Sequence, residues 1–356
     1  MVQGTTLPNS HPAELQELTY RHKQVAVLMA AYNEGTQIAQ VLKTVPEYVD
    51  HIVVVDDRSE DNTVEVVRGA ADEDERIFLI SMTENLGVGG ALAHAYRWAR
   101  DNRVDIAVSI DADGQMDPDE MTQLIDPIVD GQADYTKGNR LYDPKEWRKI
   151  PRIRLFGNAV LSLLTKMASG YWSVADSQSG YSAAGRVALV RIDWNSMYAR
   201  YGRPNDVLVL ANVAECRVAD VPVRPVYGIG EQSSMKIAKV TFTISALLIR
   251  RFWWRLFQKY LLRDFHPLLF FYVLSASTAV IAFGFTLRLF YRWILDGVVP
   301  EITALGAAFF VITSLNSLFF AFWMDMQANA HLAVRLPLGQ IYRREPTELP
   351  TPDPDG

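Results

Sequence analysis

The chain has 356 residues, 49% of them hydrophobic and 21% charged, with a formal net charge of -6. That is too apolar for a disordered chain, and the acidic balance lacks the basic domain of a phosphate-backbone binder, so nucleic acid is not an expected partner. A single cysteine, Cys216, allows no intrachain disulfide, and six scattered histidines show no zinc-ligand spacing, which together suit a reducing, cytoplasmic setting.

Residues 1–23 are polar, with Pro8, His11, Pro12 and Glu14, and lack the apolar core of a secretory signal, so this end is expected to stay on the cytoplasmic side. From Val25 onward, short β-branched runs alternate with amphipathic stretches, the rhythm of a largely parallel α/β sheet. Strands are expected at Val25–Ala30, His51–Asp56, Arg76–Ser81 and Val104–Ile110, with helices at Thr36–Thr44, Asn62–Ala71 and Gly87–Arg100. In a doubly wound sheet ligands gather at the carboxyl ends of the strands. The residues found there are Ala31-Tyr32-Asn33-Glu34, Asp56-Asp57-Arg58-Ser59, Asn85-Leu86-Gly87 and Asp111-Ala112-Asp113-Gly114-Gln115.

Towards the C-terminus, Pro267–Leu287 and Ile302–Met324 are long apolar stretches. Each reaches the ~20 residues needed to cross roughly 30 Å of hydrocarbon, and both are expected to span a membrane. Buried core helices are the competing reading, but soluble helices rarely stay apolar on every face. Before the first span, Lys236, Lys239, Arg250, Arg251, Arg255, Lys259 and Arg263 interleave with Phe252, Trp253, Trp254 and Phe257. This stretch reads as an amphipathic helix on anionic lipid. Arg335, Arg343 and Arg344 follow the second span, whereas the connection sets Arg292 against Asp296 and Glu301, so the hairpin is expected to enter and leave from the cytoplasm. The Pro- and acid-rich residues 346–356 are expected to be disordered.

Residues two apart in an extended chain point the same way, so Asp111 and Asp113 can aim both carboxylates at one point beyond the sheet. Hard oxygen ligands in that arrangement suit magnesium or manganese; Gln115 can add an amide oxygen, and a diphosphate can complete the shell. A bare Asp-x-Asp is more often a solvated loop, and its place after a buried strand is what raises it. Asp57 is a candidate for a ribose or base N–H, with Asp61 or Ser59 left to cap the following helix. Tyr32 offers a stacking face and Asn33 an amide. The Gly87-Val88-Gly89-Gly90 run fits neither the dinucleotide nor the phosphate-loop pattern and reads as close helix packing.

In their order and spacing, these four strand-end motifs resemble family 2 glycosyltransferases with a GT-A fold, and within that family the polyprenyl-phosphate and dolichyl-phosphate sugar synthases. Gly138-Asn139-Arg140, Asp176-Ser-Gln-Ser-Gly180-Tyr181, Val221-Pro222-Val223 and the 230–236 loop continue the likeness, which covers about residues 25 to 240. The paired apolar stretches match members that carry a two-helix anchor. The resemblance implies a nucleotide-sugar site made of Ala31, Tyr32, Asn33, Glu34, Asp56, Asp57, Asn85, Gly87, Asp111, Ala112 and Asp113. It implies Mg2+ or Mn2+ on Asp111, Asp113 and Gln115, and Arg140, Ser233, Ser234 and Lys236 at the acceptor phosphate. Asp176, Asp113 and Arg140 become the catalytic candidates, with Asp176 as a possible base, and Arg203, Asn205 and Asp206 lie where relatives place an acidic residue near the sugar. Tyr227 stands where many mannose synthases have Arg, and Lys236 can share its phosphate contact; the departure favours a UDP-sugar over GDP-mannose.

The expected organisation is a polar segment over 1–23, a GT-A domain over 24–235, basic and aromatic juxtamembrane helices over 236–264, two spans over 265–325 and a cytoplasmic tail over 326–356. The implied reaction is inverting transfer of a monosaccharide to a polyprenyl or dolichyl monophosphate at the cytoplasmic face of the cell membrane. A homo-oligomer is compatible with the sequence. Three other readings compete. A processive or hydroxyl-directed synthase usually needs a Gln-x-x-Arg-Trp motif and more spans, and here Arg97-Trp98 follows His94. A sugar nucleotidyltransferase would place a Gly-rich loop where Tyr32-Asn33-Glu34 stands. A non-catalytic scaffold with a degenerate transferase domain would not need Asp111, Asp113 and Asp176 intact.

Overall fold

The structure is a computed structural model that describes residues 19–141, 152–224, 237–263 and 265–336. In chain order it contains β1 (Val25–Ala31), α1 (Ile38–Thr44), β2 (His51–Asp56), α2 (Thr63–Glu73), β3 (Ile77–Ser81), α3 (Val88–Asp101), β4 (Ile106–Ser109) and α4 (Met121–Val129). There follow β5 (Tyr135–Asn139), α5 (Arg152–Ser169), β6 (Ser182–Gly185), α6 (Arg186–Arg191), α7 (Arg203–Val213) and β7 (Val218–Pro222). Last come α8 (Ile237–Arg255), a π-helix (Leu256–Arg263), α9 (Leu268–Asp296), α10 (Glu301–Asn329) and β8 (Ala333–Val334).

The strands form one eight-stranded sheet in the order β3-β2-β1-β4-β6-β5-β7-β8. β6 runs antiparallel to both β4 and β5, and the other pairs are parallel. β1 shows why the sheet is covered on both sides, because its alternate residues feed two different cores. Ala26 and Leu28 pack with α3 and α7 on one face, whereas Val25, Val27 and Met29 pack with Ile38 of α1, Val67 of α2 and Leu124 of α4 on the other. That two-sided burial is what near-continuous apolar strands of a parallel sheet require.

Two expected boundaries shift for local reasons. α1 begins at Ile38 rather than Thr36 because Gln37 and Ile38 both donate backbone N–H groups to the Glu34 carbonyl, closing a turn first. β4 begins at Ile106 because Val104 still donates to Ala99, in a turn where Arg103 has a positive φ of 61°. The Gly87–Gly90 run is close packing as expected: Gly89 donates to the Ala199 carbonyl at 2.8 Å, and a Cβ there would collide with the Tyr198 carbonyl oxygen.

α9 and α10 are antiparallel helices of 29 residues each, enclosing both expected apolar stretches apart from Pro267, which caps the first. They are long and apolar enough to cross a membrane. They are not core helices, since Val280 is 72% exposed and Ile302 86%. Their mutual face is polar at one level, where Ser275 and Ser314 exchange hydroxyl-to-carbonyl bonds of 3.0 Å each. Small hydroxyl residues at such a crossing let helices approach closely in a lipid-like environment. α10 runs past Met324 to Asn329, and β8 then pairs with β7, so residues 326–336, placed in the tail by the sequence reading, belong to the helix end and the sheet. Residues 346–356 lie outside the described residues.

The basic stretch is charge-outward only in part: Arg250 and Arg263 are exposed, Arg251, Arg255 and Lys259 turn inward, and Lys236 lies outside the described residues. Arg251 pairs with Asp206 at 2.5 Å, Arg255 with Asp325 at 2.8 Å and Lys259 with Glu215 at 2.6 Å, and all three basic residues are buried. The outward face of α8 and the π-helix instead shows Phe242, Ile249, Trp253, Phe257 and Leu261, spaced mostly four apart, with Arg250 beside them. Charges on a helix follow their partners, and here these are the buried carboxylates of Asp206 in the catalytic domain and Asp325 on α10, with the half-exposed Glu215 for Lys259.

Gly89 and Gly69 provide a matched test of this packing. Gly89→Ala is expected to cost about 1–3 kcal/mol by overpacking. Gly69→Ala, on α2 with nothing within 4 Å of the added Cβ, is expected to be neutral or slightly stabilising. Thermal unfolding of the two variants checks the difference.

Candidate active site

The loops after β1 and β2 hold each other. Asn33 takes a left-handed φ of 58°, its N–H donates to Ser59 Oγ at 3.0 Å, and its side-chain oxygen accepts from Glu60 N at 2.8 Å. Glu34 N donates to Thr63 Oγ1 at 2.9 Å, and Gly35 N to Asp61 Oδ2 at 3.1 Å. Asp61 also accepts from Thr63 N at 3.0 Å, so it serves the start of α2 as the sequence reading allowed, whereas Ser59 is turned to Asn33. Beside this clamp Tyr32 is 46% exposed, an open ring face at the carboxyl end of β1.

Asp56 and Asp57 are both buried. Asp56 accepts from Ser59 N at 3.2 Å. Asp57 spends one oxygen on Leu86 N and the other on Gly87 N, both at 2.7 Å, while Asn85 Nδ2 donates to its carbonyl at 3.1 Å. Gly87 has φ 81° and meets the Ala199 carbonyl closely enough to exclude a side chain. Asp57 was expected as a direct ligand, but both its oxygens already bind backbone. It ties the loop after β3 to the end of β2.

After β4, Asp111 and Asp113 flank the buried Ala112, and Gly114 turns the chain with φ 76° so that Gln115 N donates to Asp113 Oδ1 at 3.0 Å. Arg203 from α7 reaches up between the strands, donating to Ser109 Oγ at 3.1 Å and approaching Asp111 Oδ1 at 3.6 Å. Gly180 lies against this pair, and a Cβ there would sit 2.9 Å from Asp111 Oδ2 and 2.8 Å from Arg203 Nη2. Burial, then the nearby carboxylates of Asp113, Asp61 and Asp111, push the Glu34 carboxyl above its ordinary range, which shows that the loops after β1 and β4 crowd negative charge together. Among the described residues no three His, Cys, Asp or Glu side chains are grouped to hold a metal by themselves. Two hard carboxylates with an amide beside them fit a cation such as Mg2+ or Mn2+ that takes the rest of its shell from phosphate and water.

Across the sheet, Arg140 at the end of β5 is fixed by Asp176. Its Nε donates to Asp176 Oδ2 at 2.8 Å, its Nη2 to Oδ1 at 3.3 Å and its backbone N to Oδ2 at 3.3 Å. Gln178 N and Ser179 N donate to the same carboxylate at 3.0 and 3.2 Å. Burial raises the Asp176 pKa, but Arg140 and Lys137 outweigh it and hold the carboxyl below its ordinary range. A carboxylate with five donors, 3% exposed, is an anchor for Arg140 more than an open base. Ser233, Ser234, Lys236 and Tyr227 lie outside the described residues.

Two buried groups beneath this pair escaped the sequence reading. Lys137 points inward from β5 and donates to the Ser179 carbonyl at 2.6 Å; burial, opposed by Asp176, brings it down to about 7. Asp220 on β7 accepts from Asn139 Nδ2 at 2.7 Å and Ala175 N at 3.3 Å, and burial pushes it up to about 7. The available signal was the alternation Tyr135, Lys137, Asn139 along one strand face, opposite Asp220 in the paired register. Of the α7 candidates, Arg203 reaches the site. Asp206 does not, because Arg251 and Tyr198 N occupy it, and Asn205 Oδ1 accepts from Thr165 Oγ1 and Gln178 Nε2 at 3.0 Å each.

A mixed eight-stranded sheet with flanking helices, its strand-end loops carrying Asp111, Asp113 and the Arg140–Asp176 pair, is the architecture of a GT-A-like transferase domain. Residues 26–228 match the description "Glycosyl transferase family 2", and the chain belongs to that family. It is 32% identical over 218 residues to the UDP-N-acetylglucosamine–dolichyl-phosphate N-acetylglucosaminyltransferase of Methanococcus voltae, covering 58% of this chain and 86% of that protein. It is 26% identical over 235 residues to the polyprenol monophosphomannose synthase of Mycolicibacterium smegmatis, covering 64% and 88%. Glucosyl-3-phosphoglycerate synthase from Mycobacterium tuberculosis, solved with uridine diphosphate, superposes with a TM-score of 0.49 at 20% identity, over 69% of this chain and 86% of that one. The protein is a glycosyltransferase.

The Asp176 carboxyl titrates lower in the folded chain than unfolded, so its contribution to stability is full above the ordinary value of 3.8 and is lost as pH falls through the lowered one. Asp176→Asn is expected to flatten that acid-side loss, measured by unfolding across this range.

Proposed function

We propose that this enzyme transfers a monosaccharide, with inversion, from a nucleotide-sugar to a polyprenyl or dolichyl monophosphate at the cytoplasmic face of a membrane. The observation that carries the reading is the pairing of two carboxylates, Asp111 and Asp113, with Arg140 fixed on Asp176, in a domain joined directly to two apolar helices. The names of the Methanococcus and Mycolicibacterium relatives support a lipid-phosphate acceptor, and the first supports a UDP-sugar donor over GDP-mannose.

Asp111, Asp113 and Gln115 would hold Mg2+ or Mn2+, which neutralises charge growing on the departing diphosphate. Tyr32 offers its exposed ring to the base, and Asn33, Glu34 and the loop held by Asp57 line the nucleoside side. Arg140 meets the acceptor phosphate, with Ser233, Ser234 and Lys236 as further candidates. A phosphate monoester is already anionic near neutral pH, so the attack needs no strong base. Asp176 orients Arg140, a role that its filled lone pairs suit.

Burial of Arg251, Arg255 and Lys259 leaves the Phe242, Ile249, Trp253, Phe257 and Leu261 face, with Arg250 at its edge, to lie in the lipid interface, continuous with the two spans. The chain enters the hairpin from α8 and returns from it into β8, so both hairpin ends lie at the catalytic domain, which supports two spans that enter and leave on that domain's side of the membrane.

Purified enzyme, Mn2+ or Mg2+, a polyprenyl monophosphate and a panel of UDP- and GDP-sugars are expected to yield a lipid-phosphate-linked sugar by mass spectrometry; no product from any donor contradicts the reading. Asp111→Ala is expected to lower transfer by at least about 100-fold, the scale of removing one electrostatic contact in a preorganised site, while unfolding temperature stays unchanged.

A further inference from the structure

The hairpin meets the catalytic domain through buried charge. Asp325, one turn before the end of α10, and Arg255, the last residue of α8, are 1% and 0% exposed. They form a bidentate pair, Nη1 to Oδ1 at 2.9 Å and Nη2 to Oδ2 at 2.8 Å. The same guanidinium donates from Nε to the Ala168 carbonyl at 2.8 Å and from Nη2 to that of Met167 at 3.1 Å, both in the last turn of α5. Tyr260 OH donates to Asp325 Oδ1 at 2.7 Å and accepts from Asn329 Nδ2 at 2.8 Å. Lys259 Nζ and Asn212 Nδ2 both donate to Asn329 Oδ1, at 2.9 and 2.8 Å. One network thus joins α5, α7, α8, the π-helix and α10.

Bulk stability is a poor explanation for such a pair, because well-packed apolar residues often hold a buried contact equally well; a buried pair does impose one geometry. Asp325 follows directly on the apolar stretch Ile302–Met324, at the level where the hairpin meets the domain. The network leads somewhere specific. Gly170, with φ 78°, follows α5, and a Cβ there would sit 2.9 Å from Asn329 Nδ2, 3.0 Å from Arg255 Nη1 and 3.1 Å from Asn212 Nδ2. From Gly170 the chain passes Trp172, whose ring meets Phe322 of α10 edge-on with centroids 6.4 Å apart, and arrives at Asp176, the anchor of Arg140.

We propose that Arg255 and Asp325 are positioning residues that fix the register of the hairpin on the 170–176 turn, and so set Arg140 relative to the lipid surface for an acceptor held in the membrane. The inference rests on the lipid-phosphate reading above. Removing the pair would leave the donor site assembled but let the domain and the membrane-held phosphate drift apart, a misplacement to which transfer rates are sensitive.

The test uses the full chain in phosphatidylcholine vesicles, with a long polyprenyl monophosphate in the bilayer or a short water-soluble prenyl monophosphate. Asp325→Asn and Arg255→Lys are expected to lower kcat/KM for the vesicle-held acceptor about tenfold, with the soluble acceptor and UDP binding within about twofold of the parent chain. Equal loss on both acceptors, or no loss, overturns the proposal. Hydrogen exchange of the 170–179 amides gives a readout independent of the acceptor: faster exchange in Asp325→Asn supports the lock, and unchanged exchange overturns it. If the parent chain makes no lipid product, the acceptor reading falls and exchange alone decides the lock. Should Asp325→Asn fail to fold, Gly170→Ala presses on the same network without removing charge and is expected to give the same split between acceptors; equal effects there overturn the proposal.

Discussion

A sheet buried on both faces can present polar chemistry only where its strands stop. β1 and β2 are apolar almost throughout, and β4 contributes four buried residues before the chain reaches Asp111. Apart from Arg203, which reaches in from α7, most of what the site offers therefore sits on loops, and loops place side chains well only when something holds them. Asp57 bridging Leu86 and Gly87, Ser59 and Asp61 gripping the loop after β1, and Asp176 gathering five donors are three solutions to that one problem. Several acidic residues that a sequence reading hands to the ligand are in fact the braces of the loops that meet it.

The second organising fact is how charge is buried. Arg251 with Asp206, Arg255 with Asp325 and Arg140 with Asp176 each link elements far apart in the chain. An isolated buried charge is costly, so each pair constrains both partners at once. Two of them tie α8 to the catalytic domain and to the end of α10. The effect is to turn Arg251 and Arg255 of that helix inward and to leave Phe242, Ile249 and Trp253 on its outward face. The two long apolar helices consequently pack onto the catalytic domain through shared side chains.

Much of this was legible in the sequence. The first four strands stand out because β-branched runs on a two-sided sheet leave a periodic signal, and the two long helices because no charge interrupts about 20 residues. β5, β6 and β7 carry polar or small residues such as Lys137, Asn139, Ser182 and Asp220 on buried faces, so their hydrophobic pattern is broken by the residues that matter most there. The placement of the motifs was readable for the same reason the first strands were, since they follow strand ends. Their division of labour was not: whether Asp57 binds a ligand or a backbone, or whether Arg251 faces lipid or Asp206, depends on partners 29 to 45 residues away.

The central claim is that the nucleophile is a lipid phosphate. It is tested most directly by offering the enzyme, in the same vesicles and with the same labelled UDP-sugar, either dolichyl monophosphate or the free alcohol dolichol. Label is expected to enter lipid only with the monophosphate, because that acceptor arrives already anionic and meets Arg140 held on Asp176. Comparable transfer to dolichol, which would require a base that Asp176 is too encumbered to be, would contradict the account.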